Sequence, residues 1–557
     1  MHRLGFGPAL AVLLLLGASG LYLIGNGRVG LFDRDEPRYA QTSRQMAESD
    51  PPDWIVPRYL DDVRTAKPIL IYWCQAASMT LLGVGEFAAR LPSSLAAVAT
   101  LLLLGLAIAG RIGPRRALWT VLVLGTTLLF IAAAKLAITD ALLLLFVTAA
   151  QLCLFSLYQG RGGWLATVGL WLSIGLAILT KGPVVLAVQL PTVIALVLLD
   201  RFRPARPPGG WRASIAWLAR TRPLAGIPIA LAVAAPWFIA VHFSAPEFLR
   251  TSVGHDVLTR AVRALEGHRG PPGYYLLTIW PAFFPWSLLL VTAIALAIRH
   301  LRLAPVRFAV AAVVGPWLLF EIIATKLPHY LLPTFPALAF LTADAIVRCI
   351  RGQHDDLHRR AAVAATAVWA LFVLALAALP WTALRWFPDA PWPAMIAFSA
   401  VAIGYAMLVL VLFMRRRVAA ACASIGMGIA LCVAVMWWGY LPHAAFLWLP
   451  QRIAAALQAH GATGPGDVLM IDYKEDSLAF YQGGTIREAD DDYLLATPPP
   501  RWPPWIVITQ KMLDAQPADV REQLEIVDRF RGLRYASRMR IVEVVVVRRI
   551  DAKDLGL

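Results

Sequence analysis

Apolar runs of roughly 18–22 residues, separated by short polar links, recur along most of the chain, and each is long enough to cross a bilayer as an α-helix. The pattern predicts about thirteen spans, near 6–24, 91–109, 117–134, 140–158, 164–180, 183–200, 225–242, 274–298, 308–325, 330–347, 361–380, 393–413 and 418–440. The first run is expected to stay as an uncleaved helix, because many spans follow it. After residue 440 the pattern changes. Gly461-Ala-Thr-Gly-Pro-Gly466 precedes an apolar strand at Asp467–Ile471 and a helix near Asp476–Tyr481. Further strands are expected at Trp505–Thr509 and Arg540–Arg548, with helix between them. The expected architecture is therefore a polytopic α-helical membrane domain, 1–440, followed by a small soluble α/β domain, 441–557. The glycine run lacks the spacing of a phosphate loop.

Composition agrees with this picture. The chain is 59% hydrophobic and only 15% charged, far too few charges to cover a soluble surface. The net charge of +16 would suggest nucleic acid in a soluble protein. Here the basic residues fall in the links between spans, where they meet anionic lipid headgroups. Five cysteines lie in or beside apolar runs and read as packing residues.

Charge then sets orientation. The links Gly110–Arg116, Arg201–Arg222, Arg299–Arg307, Arg348–Arg360 and Arg415–Arg417 are rich in Lys and Arg and are expected on the cytoplasmic side. All five stay in phase only if Ile69–Leu82 is a juxtamembrane or re-entrant helix rather than a crossing. That solution places the loops 25–90 and 243–273, the links 135–139 and 326–329, and the whole tail on the outer face.

Polar chemistry gathers on that face. Asp33-Arg-Asp-Glu-Pro-Arg-Tyr39 follows the first span, and so many charges at a membrane surface must be solvated, paired or functional. Composition alone allows a solvated loop opening a helix there, as readily as a carboxylate that takes a proton or orients a nucleophile. Lys67-Pro68 stands before an apolar run, where a lysine either snorkels to the interface or meets a phosphate. Lys135 and Asp140 bracket the link between the third and fourth spans, and Lys181-Gly-Pro183 ends the fifth. The 243–273 loop carries His255, Asp256, Arg260, Arg263, Glu266, His268 and Arg269. Lys326-Leu-Pro-His-Tyr-Leu-Leu-Pro333 adds a lysine, a histidine and a tyrosine. Many cations with a few carboxylates at bilayer-interface depth suit a lipid-linked phosphate, whose chain stays in the membrane.

Asp35-Glu-Pro-Arg-Tyr-Ala40, Asp53-Trp-Ile-Val-Pro57, Lys67-Pro68 with Tyr72-Trp73, Ala88-Ala-Arg-Leu-Pro92, Leu179-Thr-Lys-Gly-Pro183 and the 326–333 motif occur in an order that resembles the bacterial GT-C glycosyltransferases related to protein O-mannosyltransferases. The likeness is closest to the 4-amino-4-deoxy-L-arabinose transferases of lipid A, and it extends over nearly the whole chain. It implies a donor sugar carried on undecaprenyl phosphate, a periplasmic acceptor such as a lipid A phosphate, and an address in the bacterial inner membrane. It also implies roles. Asp35 and Asp140 match the acids at the reaction centre, and Glu36 joins them in the expected catalytic set. Lys67, Arg260 and Tyr330 match positions that hold the donor phosphate, with Lys326 expected beside them. Arg38, Tyr39, His268 and His329 are expected to support the loop and the acceptor. His255 matches a position associated with a metal, so a divalent metal is the one cofactor the resemblance raises. Relatives commonly carry a glutamate before this lysine, where Ala66 stands here, and a second proline where Ile69 stands. If that glutamate is a metal ligand, this chain lacks it.

The expected reaction is an inverting glycosyl transfer. Alternative readings are the same donor class with a protein or glycan hydroxyl as acceptor, or transport of a lipid-linked sugar. A transporter would need polar residues through the membrane and repeated halves, and neither is present in the pattern. A structural subunit with a sensor domain leaves the outer charges without a use.

Overall fold

A computed structural model describes residues 8–202, 210–251, 270–352, 356–537 and 539–550. Helices dominate up to residue 459, and a five-stranded sheet occupies the rest. The protein is a multi-pass membrane protein. Among the described residues ten helices are long and apolar enough to cross a membrane, or eleven if one bent pair counts as a span.

The first elements in chain order are α1 (Pro8–Leu23), α2 (Asp35–Glu48), α3 (Leu70–Leu82), α4 (Glu86–Arg111), α5 (Pro114–Gly125), α6 (Leu128–Lys135), α7 (Asp140–Tyr158), α8 (Gly163–Lys181) and α9 (Val184–Phe202). The α3 helix has 13 residues, too few to span the hydrocarbon core. Two expected spans are broken rather than continuous. The run 117–134 is the pair α5–α6, bent by 66°, and the run 274–298 divides into Tyr274–Ala282 and a second piece starting at Trp286. The breaks answer each other. Leu128 N–H donates to Phe284 O at 2.7 Å, and the Trp286 indole donates to the Thr126 hydroxyl at 2.9 Å. Backbone groups freed inside the membrane must find partners within the protein, and here each break supplies the other's.

Polar residues form two layers at opposite ends of the bundle. Asp140 opens α7 and Tyr158 closes it, about 27 Å apart at the helical rise of 1.5 Å per residue. At the Tyr158 end, Arg307 pairs with Asp200 at 2.7 Å, and Asp344 pairs with both Arg116 (2.6 Å) and Arg348 (2.7 Å). Four of these five residues lie in or beside basic links, so four of the five links share one end. The other end carries α2, the 135–139 link, the end of α8 and the 326–330 link.

One buried ion pair fixes that second end. Arg90 has no exposed surface, and all its donors are used. Its Nε and Nη2 reach Glu36 at 2.9 and 2.8 Å, Nη1 reaches the carbonyls of Asn26 and Val29, and Nη2 also reaches that of Gly30. Glu36 further accepts from the N–H groups of Phe32 (2.9 Å) and Ala137 (2.6 Å). A bidentate guanidinium–carboxylate pair with every remaining site filled is the arrangement that survives burial.

The sheet runs β4-β3-β5-β7-β6, with β3 (Val468–Met470), β4 (Arg487–Glu488), β5 (Trp505–Thr509), β6 (Leu524–Arg534) and β7 (Arg540–Arg549); β1 (Arg58–Tyr59) and β2 (Asp62–Val63) form a separate hairpin in the first loop. Strands β3 and β5 are parallel and apolar, whereas β5–β7 and β6–β7 are antiparallel. The expected strands and the 476–482 helix are present. The segment expected to be helix between β5 and β7 holds two short helices and then β6, a long edge strand that exposes Glu525, Arg529 and Arg531. The Asp476–Gln482 helix packs on α2. Arg38 pairs with Asp476 at 2.9 Å, the Ser477 N–H donates to Asp33 at 2.8 Å, and the Tyr481 hydroxyl donates to Glu86 at 3.0 Å.

Two outcomes follow. Arg90→Met strands Glu36 without its cation, and thermal unfolding in detergent is expected to show a loss of about 3–5 kcal/mol. Burial, and next the Glu475 carboxylate, push the Asp33 carboxyl well above the usual carboxylate range. A raised carboxyl favours its protonated form in the docked state, so docking is strongest in acid. It weakens as pH rises from the ordinary carboxylate value, about 4, through the raised one. Hydrogen-exchange protection of the 476–482 helix should follow that slope in the native protein, and Asp33→Asn should flatten it.

Candidate functional site

A cavity of ≈ 360 Å3 opens at the second polar layer. Lys67, Asp140, Lys181, His329 and Tyr330 line its polar part, and Phe238, Phe320 and Leu143 its apolar part. Each polar group comes from an element end. Asp140 sits at the N-terminus of α7 and Lys181 at the C-terminus of α8, so each charge lies where the helix dipole favours it. They pair at 2.8 Å, both largely buried. Lys67 is presented by the turn after the β1–β2 hairpin, with its ammonium donating to Ala66 O at 2.8 Å. His329 and Tyr330 come from a short turn of helix before the Phe335–Ile350 helix, with their rings edge to face.

Asp35 is exposed at the start of α2. Among the described residues no cation lies within ion-pair distance of it, although His329 and Arg64 both interact with it electrostatically. His329 also interacts with Asp140, Lys181 and Lys67. Asp35, Lys67, Asp140, His329 and Tyr330 thus converge on one region.

Two expected roles need correction. Glu36, placed in the catalytic set beside Asp35, points away from the cavity into the buried Arg90 pair, and its oxygens are consumed there. Lys326, expected at the donor phosphate, is buried and does not line the cavity; its ammonium lies 3.4 Å from Gly270 O. It supports the start of the Gly-Pro-Pro-Gly turn instead. Tyr39 is buried and stacks on Tyr72 at 5.6 Å, and Arg38 is engaged with Asp476. His255, Arg260 and His268 lie outside the described residues.

Sequence reasoning undervalued Lys181. Alone it reads as an interface charge, and only the pairing of α7 with α8 brings it to Asp140. Among the described residues no group of three or more His, Cys, Asp and Glu side chains is arranged to hold a metal ion, and Ala66 in the cavity wall supplies no ligand atom from its side chain.

Comparison with known proteins adds to the geometry. The sequence profile of the dolichyl-phosphate-mannose-protein mannosyltransferases matches residues 11–245. An undecaprenyl phosphate-alpha-4-amino-4-deoxy-L-arabinose arabinosyl transferase from Edwardsiella ictaluri is 32% identical over 326 residues, 57% of this chain and 56% of that protein. Its namesake in Pseudomonas paraeruginosa is 32% identical over 383 residues, 67% of this chain and 65% of that protein. The match thus spans little more than half the length of the first of these relatives. The crystal structure of ArnT from Cupriavidus metallidurans bound to undecaprenyl phosphate superposes with a TM-score of 0.75 at 23% identity, covering 97% of this chain and 98% of that one. The chain has the GT-C fold, and the likeness to bacterial aminoarabinose transferases that the motifs suggested is present in sequence and in structure.

Removing Lys181 leaves Asp140 buried without its counter-charge. Lys181→Met is expected to lower stability by on the order of 3 kcal/mol, and the double variant with Asp140→Asn to regain much of it. Thermal denaturation of the four proteins in detergent measures the coupling.

Proposed function

We propose that this protein transfers 4-amino-4-deoxy-arabinose from undecaprenyl phosphate to a lipid A phosphate at the periplasmic face of the bacterial inner membrane. The observation that carries the reading is the cavity itself: Lys67, Lys181, His329, Tyr330 and Asp140 share one wall at the end of the bundle opposite the basic links. If the basic links are cytoplasmic, that wall faces the periplasm, together with the α/β domain formed by residues 441–557. No nucleotide sugar is expected there, so a lipid-borne donor fits the location.

The chemistry follows from where charge develops. An oxygen of the acceptor phosphate gives its electron pair to the anomeric carbon. The bond from that carbon to the donor phosphate oxygen breaks, and undecaprenyl phosphate departs with the pair. Attack opposite the leaving group inverts the anomeric centre. Negative charge grows on the departing phosphate, and Lys67, with a hydrogen bond from Tyr330, is placed to meet it; preorganised cations and donors there stabilise the transition state over the ground state. Lys181 neutralises Asp140 and holds it at the cavity wall. The acceptor is already an anion, so no strong base is needed, and Asp35 orients the sugar. Arg260 completes the phosphate set by its match to the family motif.

The likeness to protein mannosyltransferases over 11–245 favours a second reading with a hydroxyl acceptor, in which Asp35 takes the hydroxyl proton as general base. One pair of variants separates the two. Lys67→Met should lower transfer by about a hundredfold or more with either acceptor. Asp35→Asn should abolish transfer to a hydroxyl and reduce transfer to a phosphate much less. Mass spectrometry of lipid A and surface glycans from a strain carrying this chain as its sole transferase reads the outcome. Absence of an added aminopentose on lipid A would count against the first reading.

A further inference from the structure

We propose that Arg64 is the group that holds the phosphate of the acceptor, an inference that rests on the transferase reading above. Arg64 directly follows β2 and stands three residues before Lys67. Its backbone N–H donates to Pro57 O at 2.8 Å, and its Nε donates to the Tyr72 hydroxyl at 2.9 Å. The guanidinium carbon lies 5.2 Å from the centre of the Tyr39 ring, which is itself stacked on Tyr72. One edge of the guanidinium is therefore anchored and one face covered. Among the described residues the two terminal nitrogens keep no hydrogen-bond partner and no carboxylate lies within ion-pair distance.

A half-buried guanidinium held this firmly without an anion is an incomplete arrangement, and its planar fork fits a phosphate. The choice of phosphate comes from what surrounds it. Lys67, His329 and Tyr330 face the cavity assigned to the donor, and Arg64 does not line that cavity. Yet Asp35 interacts electrostatically with both Arg64 and His329. Asp35 is thus close both to Arg64 and to a residue of the donor cavity, as the reaction requires: one phosphate must leave the anomeric carbon while another approaches it. The neighbouring Arg38 is not available for this task, because Asp476 takes its charge at 2.9 Å. Arg64, near Asp35 and with its terminal nitrogens unengaged among the described residues, is placed to receive the incoming anion.

The test uses the full-length protein in vesicles, with an undecaprenyl-phosphate sugar as donor and phosphorylated lipid A as acceptor. Arg64→Gln should raise the KM for lipid A by roughly tenfold to a hundredfold, the range for a charged hydrogen bond. The KM for the donor and the kcat should change less than about threefold. Arg64→Lys should recover part of the loss, since it returns the charge without the fork. Tyr72→Phe keeps the cation but frees its edge, and should shift the acceptor KM in the same direction by a smaller factor; it also carries the test if Arg64→Gln does not fold. An unchanged acceptor KM, or equal rises for donor and acceptor, overturns the role of Arg64 and leaves the transferase reading intact. Failure of the unmodified protein to glycosylate phosphorylated lipid A overturns both.

Discussion

The outer half of this molecule is organised around a carboxylate and a guanidinium that never meet solvent. Arg90 spends its donors on Glu36 and on three carbonyls of the chain between α1 and α2, and Glu36 also accepts hydrogen bonds from the N–H groups of Phe32 and Ala137. Three separate stretches, 26–36, the start of α4 and the 135–139 link, therefore have one permitted arrangement. Two of them carry residues next to the acids of the site: Glu36 directly follows Asp35, and Ala137 lies three residues before Asp140. The distance between those acids is set by a pair that takes no part in the chemistry. Charges so deeply placed are tolerated because no donor on the arginine is left over.

The bundle then places its polar ends. Helices α7 and α8 run antiparallel, so the residue that opens one and the residue that closes the other arrive together, as Asp140 and Lys181 do. The opposite ends of the same helices collect Tyr158, Asp200 and Arg307. Between them lies a layer about as thick as bilayer hydrocarbon. Broken helices are accommodated inside that layer only where two breaks face each other, as at Thr126–Leu128 and Phe284–Trp286.

Much of this was legible in the sequence, and what was not has physical causes. Span positions follow from apolar run length, so ten of them are found as single helices. A hydropathy run reads smoothly through a bend, however, and hides both broken spans, although Pro285 marked one of them. The cost of polar groups at membrane depth points to the 33–39 cluster and to Asp140, whereas the roles of Lys67 and Tyr330 come from the family motifs that contain them. The same reasoning could not separate Asp35 from Glu36. Adjacent residues on a helix point about 100° apart, and only the position of Arg90 decides which acid turns inward. Lys326 failed for a similar reason, since its direction depends on where Gly270 lies. Strand β6 was missed because alternating charges on an edge strand look like a solvated helix face.

The sheet region grips α2 from the aqueous side, through Asp476 on Arg38 and Ser477 on Asp33. The fit is close: a methyl group at Gly484 would meet the Gln41 amide nitrogen at 2.2 Å. Two stretches more than four hundred positions apart in the sequence are consequently bound to drift in step through descent. A tail grafted from a distant relative would bring its own counterpart to a foreign α2, and the mismatch would be felt first at the turn that carries Asp35.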